Sequence, residues 1–211
     1  VDSFFPAAIL ERIKDAEETE DKKLVIDAKQ DLADAVEEKA EIKQFVKDMF
    51  VKKENGTIAF PPSANNNDGQ TVGYACEVMK RFKPTLTVVY LSNVDGCHSN
   101  FTSYLQSLHS ADHAVGHLWD YIQNNIPQMA GNTSIIVAPE HGRNLEPNNI
   151  LDANAFYGYD HSDDNSRRIF NLMAGPGIDA NLTIGNETNG VGDIVNITPT
   201  IAEILGFKQD V

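Results

Sequence analysis

The stretch NTSIIVAPEHGRN, residues 132–144, joins a short apolar run to an acid and an imidazole. Residues 135–138 are apolar and mostly β-branched, which predicts a buried strand, and Pro139 ends it because proline has no N–H for a sheet ladder. Glu140 and His141 would then follow the carboxyl end of that strand. Ligands bind at this edge in open α/β sheets, so the pair is either part of a site or a polar strand end that faces water.

Two further apolar runs are typical of strands, and each lies close to metal-competent side chains. The run TLTVVYL, residues 85–91, is followed by Asp95 and His98. The run RRIFNLMAG, residues 167–175, is preceded by a polar loop that contains His161. If all three strands belong to one sheet, these side chains are expected to meet at one edge.

Helical patterns separate the predicted strands. Apolar residues at helical spacing predict helices over residues 71–82 and 100–125. A short closing helix is predicted near residues 198–206, with Thr198 as its N-cap and Gly206 as its terminator. Helices that alternate with strands indicate an α/β fold, in which helices flank a largely parallel sheet.

The first quarter of the chain has a different pattern. Residues 7–53 carry one apolar face among many charged residues, which predicts helix, and Gly56 is a suitable stop. A loop-like stretch, FPPSANNNDGQ, follows at residues 60–70. We therefore divide the chain into a helical segment, residues 1–60, and an α/β domain, residues 61–211.

Composition limits the classes of function. The net charge of −14 and the pI of about 4.7 disfavour binding to nucleic acid or to anionic membranes, since both require a cationic surface. No apolar run approaches the ~20 residues that a membrane helix needs. Only two cysteines occur, which is too few for a disulfide framework. Cys97 is interpreted as a buried residue or, alternatively, as a reactive thiol or a metal ligand.

Histidine and carboxylate together suggest a metal site. Carboxylates and neutral imidazoles suit zinc or manganese, and the candidate ligands are Asp95, His98, Glu140, His141 and His161. The alternative is that each acid and histidine pair caps a helix or bonds a loop. Another set, His109, His113 and His117, recurs every four residues, but it lies beside an apolar stripe and is interpreted as solvated or structural.

The order of these residues resembles the alkaline phosphatase superfamily of metal-dependent phosphoester hydrolases, which includes nucleotide pyrophosphatase/phosphodiesterases. The resemblance covers about residues 71–206 and includes the closing segment DIVNITPTIAEILG, residues 193–206. It implies two divalent metal ions, zinc or alternatively manganese. It assigns Asp95, His98 and His161 to the first ion and Glu140 and His141 to the second.

The sequence departs from the pattern of that superfamily. Asp95 and His98 are three residues apart instead of four, and Glu140 stands where Asp is usual. The nucleophilic Thr or Ser and a further Asp come from an earlier strand in the superfamily, and nothing before Thr71 resembles such a strand. We therefore expect the carboxyl-terminal part of an alkaline-phosphatase-like domain, with residues 1–60 as an insertion, and no catalysis by this chain alone.

Three arginines are candidate partners for a phosphate group, because a guanidinium matches phosphate oxygens. They are Arg143, Arg167 and Arg168, and surface or structural ion pairs are the alternative for each.

The expected function is hydrolysis of a phosphoric ester, with a small phosphoester as the substrate. Sulfate-ester hydrolysis and phosphomutation are alternatives that the same metal frame supports. A non-catalytic metal-binding or interaction domain with a decayed site is a third. The resemblance favours an extracytoplasmic location, while the residues themselves leave the location and the oligomeric state open.

Overall fold

A computed structural model describes residues 7–18, 22–62, 66–186 and 188–207, and the chain divides into two compact units, Val1–Ile58 and Ala59–Val211. More than half of the described residues are helical. No helix in the described ranges is both long and apolar enough to cross a membrane.

The first unit consists of helix α1, Ala7–Glu18, and helix α2, Lys22–Glu54. Two exposed salt bridges join them, Arg12 to Asp31 at 3.1 Å and Lys29 to Glu17 at 3.0 Å. Exposed pairs of this kind contribute ~0–1 kcal/mol each. Gly56 follows α2 with a φ of 64°, which confirms it as a stop. Helix is confirmed for the described part of residues 7–53.

The core of the second unit lies between helix α3, Asn67–Phe82, and helix α4, Phe101–Asn125. Asn66 and Asn100 cap these helices, since each side-chain oxygen accepts a backbone N–H at 2.8 Å. The core contains residues from both helices and from the turn after α4: Val72, Cys76, Met79, Ala114, Leu118, Tyr121, Ile122 and Ile126. Both predicted helices are confirmed, although α3 begins four residues earlier than predicted.

The prediction of a largely parallel sheet flanked by helices is wrong. In the described ranges the sheet has two strands, β1, Ile135–Val137, and β2, Leu172–Ala174, which pair antiparallel with Ile136 opposite Met173. Pro139 limits β1 to three residues, because proline supplies no donor to the ladder. The first part of the predicted strand 167–175 is the end of a 3-10 turn, Asp164–Arg167.

The run at residues 85–91 keeps a strand-like alternation without being a strand. Leu86, Val88 and Tyr90 are 54%, 83% and 70% exposed, whereas Val89 and Leu91 pack against the core between α3 and α4. No described segment forms backbone hydrogen bonds with this run. The alternation of apolar side chains therefore determines which side of the segment faces the core. A strand also needs a neighbouring strand for backbone hydrogen bonds, and the described part of this unit places none beside residues 85–91.

The closing helix α5, Ile197–Ile204, confirms the predicted helix but corrects its start. A 3-10 turn, Ile194–Asn196, precedes α5, and Asp193 and Asn196 form a reciprocal capping box there, so Thr198 is not the N-cap. Gly206 ends the helix at a φ of 72°, as predicted.

Candidate metal centre

Asp95 and His98 lie in a 3-10 turn, Asn93–His98, that leads into α4. The buried carboxylate of Asp68 fixes the start of this turn, because it accepts the N–H groups of Ser92 at 2.9 Å and Asn93 at 3.0 Å. At the other end of the turn, the Cys97 carbonyl accepts the N–H of Tyr159 at 3.2 Å.

Cys97 is fully buried, and burial raises the pKa of its thiol. A buried thiol with a raised pKa is a poor nucleophile. The structure therefore favours the interpretation of Cys97 as a buried residue.

Two glycines allow close backbone contacts between the segments that carry the candidate ligands. The N–H of Gly142, beside His141, donates to Ser166 O at 2.6 Å, and a Cβ at position 142 would collide with the Arg168 carbonyl. Gly158, three residues before His161, packs against the backbone of His98, where a Cβ would collide with the carbonyl group. Both approaches need a residue without a side chain.

Three side chains from these loops form one group. The ligand atoms of Asp95, His141 and His161 all lie within 4.8 Å of one another, and this is the one group of three or more such side chains in the described part of the chain. Asp95 Oδ1 is 3.7 Å from His141 Nε2. The rings of His141 and His161 have centroids 4.0 Å apart.

The three residues fit a divalent metal ion. Zinc binds imidazole nitrogen and carboxylate oxygen at about 2.0–2.2 Å, so any two of its ligand atoms lie at most ~4.4 Å apart, and this group, within 4.8 Å, would have to contract slightly around an ion. His141 is already oriented for ligation, because its Nδ1 lies 2.9 Å from the Gly142 carbonyl and its Nε2 faces Asp95. Three protein ligands are also the number typical of catalytic zinc sites.

The electrostatics of the site favour an ionised Asp95. Partial burial alone would raise the pKa of this carboxyl group. The charge and hydrogen bond of the Arg143 guanidinium, together with the nearby His98 and His141, outweigh that effect and hold the pKa below its usual 3.8. Asp95 is therefore available as an anionic ligand across the neutral pH range.

His98 lies beside this group but bonds elsewhere. Its Nε2 is 3.4 Å from Asp95 Oδ1, and its ring centroid is 4.8 Å from that of His161. Its Nδ1 lies 2.8 Å from Asp160 Oδ1, and Arg143 Nη1 lies 3.1 Å from its Nε2. Protein groups therefore contact both ring nitrogens.

Glu140 is exposed and does not join the group of three in the described ranges. The structure therefore brings together Asp95, His141 and His161, with His98 adjacent. It does not bring Glu140 to them, and a second metal ion stays a prediction.

The three candidate phosphate partners differ in their surroundings. The two Nη atoms of Arg143 contact four acceptors: Asp95 Oδ1, Val94 O, Tyr159 O and His98 Nε2. Arg167 is exposed and lies 3.7 Å from Asp164, and Arg168 is exposed. The guanidinium of Arg143 therefore contacts protein groups, whereas Arg167 and Arg168 face solvent.

Asp160 is a site residue that the sequence analysis missed. Its carboxylate bonds His98, and its Oδ2 accepts from Asn148 Nδ2 at 3.3 Å. The hydrogen bond from His98, followed by that from Asn148, lowers the pKa of Asp160. The only signal in the sequence is its position next to His161.

Asp152, in the loop that leads to Gly158 and His161, bonds the start of α4. Its Oδ2 accepts from the N–H and hydroxyl of Thr102 at 2.8 and 2.7 Å, and its Oδ1 accepts from Asn154 N at 2.8 Å. These hydrogen bonds lower the pKa of Asp152 from 3.8 to about 2, and the bond from the Thr102 hydroxyl has the largest effect.

We expect Asp152→Asn to make the stability of the protein less sensitive to acid. A carboxyl group whose pKa is lowered in the folded state stabilises the fold at any pH above its unfolded-state pKa. That contribution is lost as the pH falls through its folded-state pKa. The window is therefore pH 4 to 2. Urea unfolding should show the variant less stable than the wild type at pH 6 and equal to it near pH 2. A difference that stays constant with pH would contradict this assignment.

Comparison with known proteins identifies a family. The family model described as Type I phosphodiesterase / nucleotide pyrophosphatase matches residues 12–180, which is most of the chain and includes all five candidate metal ligands. No curated protein and no solved structure matches the chain.

Proposed function

Because this chain belongs to the type I phosphodiesterase / nucleotide pyrophosphatase family, we propose that it carries a divalent-metal centre for the hydrolysis of phosphoric esters. One observation carries the proposal: Asp95, His141 and His161, far apart in sequence, place their ligand atoms within 4.8 Å of one another. Zinc suits this donor set, and manganese is the alternative.

The role of each residue follows from its surroundings. Asp95 supplies the anionic ligand, held ionised beside Arg143. His141 would hold the metal through Nε2, because its other nitrogen is within bonding distance of the Gly142 carbonyl. His161 supplies the second imidazole. A divalent ion held by these residues would polarise a phosphoryl oxygen and would lower the pKa of a hydroxyl group or water beside it.

The nucleophile is expected outside residues 1–211. None of the hydrogen bonds made by Asp95, His98 or His141 in the described ranges goes to a Ser or Thr hydroxyl. Catalysis needs a nucleophile held in line with phosphorus at near-contact distance, so a metal centre without one binds but does not react. We therefore propose that the chain binds metal but does not turn over phosphoesters alone.

Hydrolysis of bis-p-nitrophenyl phosphate and p-nitrophenyl phosphate tests the proposal, with p-nitrophenyl sulfate as the competing substrate. We expect residues 1–211 to bind zinc or manganese without turnover. Any longer form that the gene encodes should hydrolyse the phosphates, and His161→Ala should abolish that activity.

Three results would contradict the proposal or part of it. Faster cleavage of the sulfate ester would favour the sulfatase alternative. Failure of purified residues 1–211 to bind either metal would favour a non-catalytic domain with a decayed site. Phosphoester turnover by residues 1–211, lost in His161→Ala, would instead place the nucleophile within this chain.

A further inference from the structure

The three histidines that recur every four residues along α4 differ in their surroundings. His117 is partly buried, and its Nε2 lies 3.0 Å from the Ala59 carbonyl oxygen. His109 and His113 are exposed, and the centroids of their rings are 4.4 Å apart. His109 and His113 are therefore two neighbouring imidazoles that a ligand can reach from solvent.

The spacing of this pair suits one metal ion. Residues four apart are neighbours on the surface of a helix. Metal–imidazole bonds of about 2.0–2.1 Å, as in zinc sites, place two nitrogens of one ion at most ~4.2 Å apart. Rings with centroids 4.4 Å apart can meet this limit by rotation of the two side chains, without movement of the helix.

The other side of α4 holds the pair in place. Ala114, next to His113, is 1% exposed, and Leu118 and Ile122 continue the buried face of the helix. Because α4 is already packed in the core, an ion at the pair has to order only two side chains. Preorganisation of this kind strengthens binding.

The charges along α4 also favour a cation at the pair. Residues 101–125 contain no lysine or arginine. Asp112 is exposed and follows His109 by three residues, so helical spacing places its carboxylate on the same side of α4. A metal ion at the pair would therefore meet no like charge from this helix and one carboxylate nearby.

We propose that His109 and His113 form a surface site on α4 that binds copper(II) by chelation between their two imidazoles. Among divalent first-row metals, copper(II) has the highest affinity for a given nitrogen site, and its tetragonal geometry accepts two neighbouring nitrogens. In the part of the chain that the structure describes, no third His, Cys, Asp or Glu side chain completes a metal site with this pair. The inference does not rest on the proposed function, because the pair shares no residue with Asp95, His141 and His161.

Copper(II) titration of nitrogen-15 protein, followed by amide NMR, tests the site. Copper(II) is paramagnetic and broadens the signals of nearby amides, so the amides of residues 109–113 report binding at the pair. We expect these signals to broaden in the wild type. His109→Ala should weaken the binding that they report by about 100-fold, because joining two ligands on one support raises affinity on the order of 10²–10⁴-fold.

A spaced variant is the matched control. Gln106→His combined with His109→Ala keeps three histidines on α4, at an exposed position in place of the lost one. Its new imidazole lies two turns, about 10 Å, from His113, which is too far for one ion. This variant should bind copper(II) as weakly as His109→Ala, and circular dichroism should show the same helix content in all three proteins.

Two results would overturn the inference. Wild-type affinity in His109→Ala or in the spaced variant would show that the two imidazoles do not chelate together. Sharp amide signals for residues 109–113 at saturating copper(II) would show that the pair binds no copper, and would leave the proposed metal centre standing.

Discussion

Replacing His161 by alanine is expected to reduce zinc affinity by more than about 100-fold, since changes behind the ligands already cost 10–100-fold. His161 is one of three side chains whose ligand atoms lie within 4.8 Å of one another, so its loss leaves one carboxylate and one imidazole. Two ligands cannot hold zinc in the tetrahedral geometry that it takes in proteins. Competition with a chromophoric chelator measures the affinity.

A matched control is available on α4. His109 and His113 are exposed and their ring centroids are 4.4 Å apart, away from the group of three. The double variant His109→Ala, His113→Ala should keep the high-affinity site and remove any weak zinc binding by this surface pair. A loss of affinity in the double variant as large as that in His161→Ala would show that zinc binds on α4 instead.

The second large effect is expected at Gly158. A Cβ at this position would collide with the carbonyl group of His98 and approach the Cys97 carbonyl, and backbone atoms cannot move aside as flexible side chains do. Overpacking of this kind costs about 1–3 kcal/mol, so Gly158→Ala should lower the free energy of unfolding by that amount. The variant should also bind zinc more weakly, because the collision separates the turn that bears Asp95 from the loop that bears His161.

Gly116→Ala is the control for this prediction. Gly116 lies in the interior of α4, and a Cβ added there would meet no atom within 4 Å, so alanine should stabilise the protein by up to ~1 kcal/mol through helix propensity. Urea unfolding measures both variants. Equal stability of Gly158→Ala and wild type would show that the two backbones do not approach as closely as described.

The helices could be predicted because their signals are local. Asn100 caps α4 by bonding a residue three positions away, and apolar spacing marks the core side of α3 and α4. The sheet could not be predicted in this way. Residues 85–91 alternate as a strand does, but pairing depends on a neighbour distant in sequence, and periodicity carries no information about that neighbour.

The candidate site could be predicted only in part from the sequence. The strand patterns predict Asp95 and His141 at the carboxyl ends of strands in one sheet and His161 in the loop before a third strand. The described residues contain no such sheet, and close backbone contacts at Gly142 and Gly158 bring the loops together instead. The positions of Arg143 and Asp160 relative to His98 could not be predicted. They depend on contacts across 45 and 62 residues, which no local pattern marks.

Anomalous diffraction at the zinc absorption edge, from crystals soaked in zinc, tests the central claim most directly. We predict one strong peak about 2.0–2.2 Å from a carboxylate oxygen of Asp95 and from imidazole nitrogens of His141 and His161, typical of zinc ligation. A strong peak that contacts none of these three residues, or no peak at saturating zinc, would contradict it.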